Sequence, residues 1–122
     1  MAADDTTTLA ELKALVADFR DERDWAQFHH PKDLAISISI EAAELLELFQ
    51  WKSAEEIHRA LQDPDRHRRL TEEVADIVVY CLNMSDTVGF DLATAISEKL
   101  ERNSEKYPVE KARGIARKYN DL

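Results

Sequence analysis

Only two glycines and three prolines interrupt a chain of 122 residues, and this scarcity restricts what the chain can fold into. Tight turns between strands depend on glycine and proline, so their rarity favours a few long helices instead. The length suits a single domain, 1–122. We therefore predict an all-α bundle of four to five helices, with residues 1–8 disordered and residues 108–122 forming a C-terminal tail.

Capping residues and apolar spacing predict where the helices begin and end. The first helix is expected to fade near Asp24, and the aromatic segment 25–31 to form a structured loop. The second should run over residues 33–51, because its length and the helix formers at 41–48 outweigh the β-branched run at 36–40. Gly89 is expected to stop the fourth helix, and Tyr107 with Pro108 the last. Four residues are predicted N-caps: Thr8, Ser53, Asp63 and Asp91.

The charge balance narrows the classes of partner. With 25 acidic residues against 16 Lys and Arg, the net charge is −9, and a binder of nucleic acid or of an anionic membrane needs a basic surface instead. No apolar run approaches the roughly 20 residues needed to span a bilayer, and no secretory leader is visible. We expect no nucleic-acid or membrane partner and a cytoplasmic location. The single Cys81 is interpreted as a small core residue.

Two pairs of carboxylates are the candidates for chemistry. Glu41 and Glu44 lie three residues apart on the second predicted helix, as do Glu73 and Asp76 on the fourth. Each pair interrupts an apolar stripe, and carboxylates placed there repel one another and lose hydration. A single such pair is common on solvated helix faces, but two pairs on helices that can pack together favour a Mg²⁺ site, with Mn²⁺ able to take its place.

This pattern resembles the MazG-like, all-α nucleoside triphosphate pyrophosphohydrolases. The similarity extends to RDWAQFH at residues 23–29 and ELLELFQW at residues 44–51, and to Lys99, Asn103 and the RKY at residues 117–119. These motifs are closest to the dCTP pyrophosphatase branch, and the resemblance covers about residue 12 to the C-terminus.

The resemblance implies a reaction and a set of residue roles. A deoxynucleoside triphosphate would be split between its α and β phosphates, giving the monophosphate and pyrophosphate. Magnesium would be held by the catalytic acids Glu41, Glu44, Glu73 and Asp76, any one of which could be the general base. The implied substrate-binding residues are Trp25, His29, Trp51, Tyr80, Lys99, Asn103 and Tyr107, with Trp51 reaching the site of a neighbouring subunit.

Two positions depart from the branch. The mammalian members of the branch carry a base-reading His where this chain has Val16, and relatives commonly carry Asn where it has Asp33. A strict dCTP preference therefore does not follow. Pyrimidine or modified pyrimidine deoxynucleotides are the expected substrates, and dUTP and phosphoribosyl-ATP are alternatives within the family. The expected role is to clear unwanted nucleotides from the pool.

Two other interpretations have different requirements. A di-iron carboxylate bundle needs two Glu-x-x-His motifs, and only Glu55 with His58 forms one. A non-catalytic helical module that binds nucleotide or a protein partner is the other alternative. Because a domain this small buries only roughly two-thirds of its unfolded surface, its apolar stripes would gain from packing on a second copy, and we expect a dimer or tetramer.

Overall fold

The computed structural model describes residues 1–122 and contains helices but no strands. The α-helices are α1 (Leu9–Glu22), α2 (Pro31–Glu47), α3 (Ala54–Ala60), α4 (Pro64–Val88), α5 (Leu92–Lys106) and α6 (Val109–Ala112). Short 3₁₀ turns occupy Ala26–Phe28 and Tyr119–Asp121. The predicted all-α class is confirmed. The number of helices is six rather than four to five, because the single turn α6 forms within the expected tail.

The chain forms two compact units, Met1–Gly89 and Phe90–Leu122, which are described separately. In the first unit α4 is the central element, since α2 packs along it and α1 packs on it as well. Leu34 of α2 and Leu82 of α4 are its buried apolar side chains. The second unit consists of α5, α6 and the final 3₁₀ turn.

The predicted caps are confirmed, and each satisfies a backbone donor that the first helical turn leaves open. The side chains of Thr8, Ser53, Asp63 and Asp91 each accept a hydrogen bond from the backbone N–H three residues on. Gly89 ends α4 with φ 86°, a left-handed conformation that disfavours residues with a Cβ. Local sequence chemistry therefore set these helix ends.

The expected bounds of the second helix were wrong at both ends. The helix begins at Pro31, whose fixed φ suits the first helical position, and His30 caps it by accepting a hydrogen bond from the N–H of Lys32. It ends at Glu47 rather than Trp51, because the next backbone donors bond three residues back and tighten the chain into turns. Trp51 then adopts φ 65°, in the left-handed region, which excludes helix continuation.

The N-terminal segment carries local structure. In the segment 1–8, the backbone N–H of Thr7 donates to the carbonyl of Ala3 at 2.9 Å and forms a turn.

None of the helices combines the length and hydropathy that crossing a bilayer requires.

Candidate functional site

An acidic cluster forms where α2 packs along α4. Glu41 comes from α2, and Glu73 and Asp76 come from one face of α4. One carboxylate oxygen from each of the three lies within 4.8 Å of the other two. Glu41 and Glu73 are half-buried, whereas Asp76 is exposed. Three of the four predicted metal ligands are thus brought together by the pairing of these helices.

Glu44 lies beside this cluster on the next turn of α2. Its side chain is exposed, and its charge and hydrogen bonding raise the pKa of both Glu41 and Glu73. Glu44 is therefore an acidic neighbour of the three-carboxylate cluster.

Electrostatics in the cluster favour the uncharged forms of Glu41 and Glu73. Burial, followed by hydrogen bonding with Glu44 and Glu73, raises the pKa of Glu41 to about 7. The pKa of Glu73 is also raised, with burial the largest cause and the charges of Glu44 and Asp76 contributing. Partial burial and like charge both penalise ionised carboxylates.

The same cluster fits a hard divalent cation. The Oε2 atoms of Glu41 and Glu73 are buried and have no hydrogen-bond partner. A buried oxygen without a partner carries a desolvation cost that a metal ion can offset. Since every donor is a carboxylate oxygen, the set suits Mg²⁺ or Mn²⁺ rather than a thiophilic metal.

A cavity of about 450 Å³ opens beside Asp76, within the first unit. Its walls come from α1, α4 and the loop between α1 and α2. The lining residues are Leu15, Val16, Phe19, Arg20, Trp25, His29, Asp76, Val79, Tyr80 and Asn83. A smaller space of about 220 Å³ adjoins it, since Trp25, His29 and Tyr80 line both. The cavity has the size and the mixed aromatic and polar lining of a small-molecule site.

Aromatic contacts fix the loop that forms one wall. The Trp25 ring meets Phe19 edge-on, with ring centroids 5.8 Å apart, and its backbone N–H donates to the carbonyl of Arg20. The guanidinium of Arg23 lies over the Phe19 ring, 3.7 Å from its centroid. Trp25 is thereby held at the cavity with an exposed fraction of 46%, which leaves ring surface available for stacking.

His29 adds an uncharged polar edge to the cavity. Burial, followed by the charge of Arg20, lowers the pKa of His29 below its ordinary value. Its Nδ1 is buried and has no hydrogen-bond partner. A neutral imidazole can donate from one nitrogen and accept at the other, so His29 can bond a polar group of a ligand.

The remaining predicted substrate residues are one just after the end of α2 and three in the second unit. Trp51 lies in the turn after α2, where 91% of its surface is exposed, and it lines neither cavity. Lys99, Asn103 and Tyr107 belong to the second unit, on α5 and at its end. There Tyr107 packs edge-on against Tyr119, with ring centroids 6.1 Å apart.

Two departures noted in the sequence lie beside the cavities. Val16 lines the larger space, and Asp33 lines the smaller one while pairing with Lys32 at 3.3 Å. Sequence reasoning missed Arg20 and Asn83. A signal for both exists, because Arg20 follows Val16 by four residues on α1, and Asn83 follows Asp76 by seven on α4.

Comparison with known proteins identifies the family. The model of the MazG-like family matches residues 36–122. The chain belongs to the MazG-like family. Rat dCTP pyrophosphatase 1 is 40% identical over 115 residues, which are 94% of this chain and 68% of the rat protein. The human protein of the same name is 37% identical over the same shares of each chain.

A solved structure agrees in fold. A pyrophosphatase from Archaeoglobus fulgidus superposes with a TM-score of 0.77 at 39% identity, covering 88% of this chain and 99% of that one. The resemblance found in the sequence is confirmed, as is the prediction of a nucleoside triphosphate pyrophosphohydrolase.

Proposed function

We propose that the protein hydrolyses pyrimidine deoxynucleoside triphosphates, dCTP or a related nucleotide, to the monophosphate and pyrophosphate with Mg²⁺ as cofactor. The observation that carries this proposal is an acidic cluster beside an aromatic cavity. One oxygen from each of three carboxylates lies within 4.8 Å of the others, and Asp76 belongs to the cluster and also lines the cavity. Clearing the nucleotide pool is the expected role, and the cytoplasm the expected location.

The acidic cluster accounts for the phosphate chemistry. Glu41, Glu73 and Asp76, with Glu44 beside them, would hold Mg²⁺. The bound ion would supply neutralisation of phosphate charge and a lowered pKa for a coordinated water. A carboxylate of the cluster takes a proton as water attacks phosphorus, the bridging α–β P–O bond breaks, and pyrophosphate separates from the monophosphate.

The cavity would bind the nucleoside part of the substrate. Trp25 offers a ring face for stacking on the base, which gives affinity for any base. Tyr80, one turn beyond Asp76 on α4, lines the same cavity and is proposed to contact the sugar between the phosphates and the base. His29 contributes a neutral hydrogen-bonding edge. Lys99, Asn103 and Tyr107 are proposed to bind phosphate or sugar, as the family resemblance implies.

Turnover and its dependence on metal test this function directly. Purified protein is incubated with each common dNTP and with 5-methyl-dCTP, in Mg²⁺ or in EDTA, and pyrophosphate and monophosphate are measured. We expect release in Mg²⁺ only. Glu73→Gln should abolish it, whereas the adjacent Glu72→Gln should not, since Glu72 is exposed and pairs with Arg68 at 3.6 Å. Nucleotide binding without turnover would instead support a non-catalytic module.

We further propose that the chain assembles into a dimer or tetramer. Large apolar side chains are left open on the first unit: Ile36 and Ile40 share one face of α2 with 49% and 53% exposed, and Val74 and Val78 share a face of α4 with 45% and 43%. Patches of this kind mark association surfaces. Sedimentation should give a dimer or tetramer that Ile40→Lys weakens, and a wild-type monomer at micromolar concentration would contradict the proposal.

A further inference from the structure

Two polar side chains in the cavity wall have no part in the chemistry described above. Arg20 comes from α1 and Asn83 from α4, and both line the 450 Å³ cavity. On α4 the spacing Asp76, Tyr80, Asn83 keeps the three on one face of the helix. At 1.5 Å per residue, Asn83 lies about 10 Å along the helix from Asp76. This face therefore leads from the acidic cluster to the part of the cavity that a base would reach.

Asn83 presents a hydrogen-bond acceptor that the protein leaves unused. Only 4% of the residue is exposed, and its amide nitrogen donates to the carbonyl of Val79 at 3.2 Å. That bond fixes the orientation of the amide, because the reversed orientation would place two oxygens against each other. Its Oδ1 is consequently a buried acceptor, and it has no partner. An N–H group of a ligand would satisfy it.

Arg20 presents hydrogen-bond donors in a fixed position. Its Nε and Nη2 donate to Asp21 at 2.8 and 3.2 Å, and its Nη1 donates to Asp86 at 2.6 Å. A guanidinium has five N–H groups, so donors remain for a ligand after these three bonds. With only 12% of the side chain exposed, the two acids both hold the group and balance its charge. The remaining donors suit neutral acceptors such as ring carbonyls better than free phosphate.

Arg20 and Asn83 are also neighbours in the wall. Asp86, which binds the Arg20 guanidinium, follows Asn83 by three residues on α4 and so lies on the next turn of the same face. A rigid donor pair therefore lies about one helical turn from a rigid acceptor. Cytosine presents the complementary order along its edge, since O2 and N3 accept hydrogen bonds and the N4 amino group donates. Uracil and thymine reverse this polarity at N3 and at position 4.

We propose that Arg20 and Asn83 are specificity-determining residues that select a cytosine-type base, with Arg20 donating to O2 and N3 and Asn83 accepting from the N4 amino group. The inference rests on the proposed function, because it assumes that the cavity holds the base of the nucleotide. It assigns to this pair the base-reading role that Val16, with no hydrogen-bonding group, does not fill.

The test removes the same contact from the protein and from the substrate. Asn83→Leu keeps the side-chain volume and relieves the unpartnered oxygen, so the fold should be at least as stable as the wild type. kcat/KM is measured for dCTP, for dUTP, and for the deoxynucleotide of pyrimidin-2-one, which is cytosine without its amino group. Loss of the amino group should lower the wild-type value roughly tenfold to a hundredfold. In Asn83→Leu, loss of the amino group should change kcat/KM by less than about twofold, because the substitution and the missing amino group remove the same contact.

Two further variants separate base reading from structure. Arg20→Lys keeps a cation between Asp21 and Asp86 but loses the planar fork, so preference for dCTP over dUTP should fall while the protein stays folded. Ser85→Ala is the matched control on α4, because Ser85 is fully buried, bonds to the carbonyl of Leu82 and does not line the cavity. It should leave the dCTP preference unchanged.

The outcomes distinguish this inference from the proposed function. If pyrophosphate is released but the wild type does not discriminate against the pyrimidin-2-one nucleotide, or Asn83→Leu still does, the base-reading role is refuted and the function stands. If nothing is released, calorimetric binding of dCMP and dUMP gives the same comparison without turnover. Weaker binding of dUMP than of dCMP, by a ratio that Asn83→Leu reduces, supports the role, and equal wild-type binding of the two refutes it.

Discussion

Replacing Glu41 by glutamine should stabilise the metal-free protein while removing its response to magnesium. The ordinary glutamate pKa of 4.5 rises to about 7 at Glu41, with burial as the largest cause and hydrogen bonding to Glu44 next. At about 1.4 kcal/mol for each pKa unit, such a rise would correspond to about 3 kcal/mol in a fully buried site. The cluster is open to solvent at Asp76, and screening there reduces the expected gain to about 1 kcal/mol.

The size of this effect depends on pH. Below the unfolded pKa of 4.5 the carboxyl is protonated in both states, and glutamine should make no difference to the charge balance. As pH rises from 4.5 to about 7 the unfolded chain loses its proton first, so the free energy of unfolding of the wild type falls. Above about 7 the full cost is present, and Glu41→Gln should then be the more stable protein.

Urea unfolding in EDTA, followed by circular dichroism at about pH 4.5 and about pH 8, measures this difference. Adding Mg²⁺ at the higher pH should reverse the order, because the ion stabilises only the protein that binds it. Glu55→Gln on α3 is the control, as Glu55 is exposed and lies outside the cluster, and it should change stability by less than about 0.5 kcal/mol at either pH. A destabilised Glu41→Gln in EDTA at the higher pH would refute the repulsion argument.

Three other outcomes are expected. Mg²⁺ binding measured by calorimetry should weaken about tenfold for each pH unit below the Glu41 pKa of about 7, because the proton must leave before the metal binds; a dissociation constant that does not vary with pH would contradict this. Gly89→Ala should cost about 1 kcal/mol in thermal unfolding, since the new Cβ meets nothing within 4 Å and only the left-handed backbone at φ 86° is strained. Trp51→Gly should not lower Tm, because it relieves a left-handed tryptophan at φ 65°, yet it should raise KM for the nucleotide. An unchanged KM would remove Trp51 from the substrate-binding residues.

How far the sequence predicted the site differs from residue to residue. The acids Glu41, Glu73 and Asp76 were found because carboxylates in apolar stripes conflict with burial, and the conflict is visible in the spacing alone. Glu44 has the same spacing and is exposed like Asp76, but it is not one of the three acids that come within 4.8 Å of one another. Spacing gives the face of a helix on which a side chain lies, whereas the depth of that side chain depends on how the neighbouring helix is packed.

Arg20 shows what spacing could not supply. From the sequence it is one more cation on a helix rich in charge, next to Asp21 in the chain. Its function as a donor in the cavity depends on Asp86, which is 66 residues away and reaches it only when α1 packs on α4. Likewise, the unpartnered oxygen of Asn83 is defined by a burial that no local pattern encodes.

The sequence by itself determined the helical class, the starts of α1, α3, α4 and α5, and the pairing of acids along α2 and α4. These features depend on backbone donors, caps and helical periodicity, which act within a few residues. Tertiary structure decided where α2 stops, which carboxylates meet, and that Arg20 and Asn83 line the cavity beside them. Those outcomes require contacts between distant segments, and such contacts form only when packed helices exclude water from the space between them.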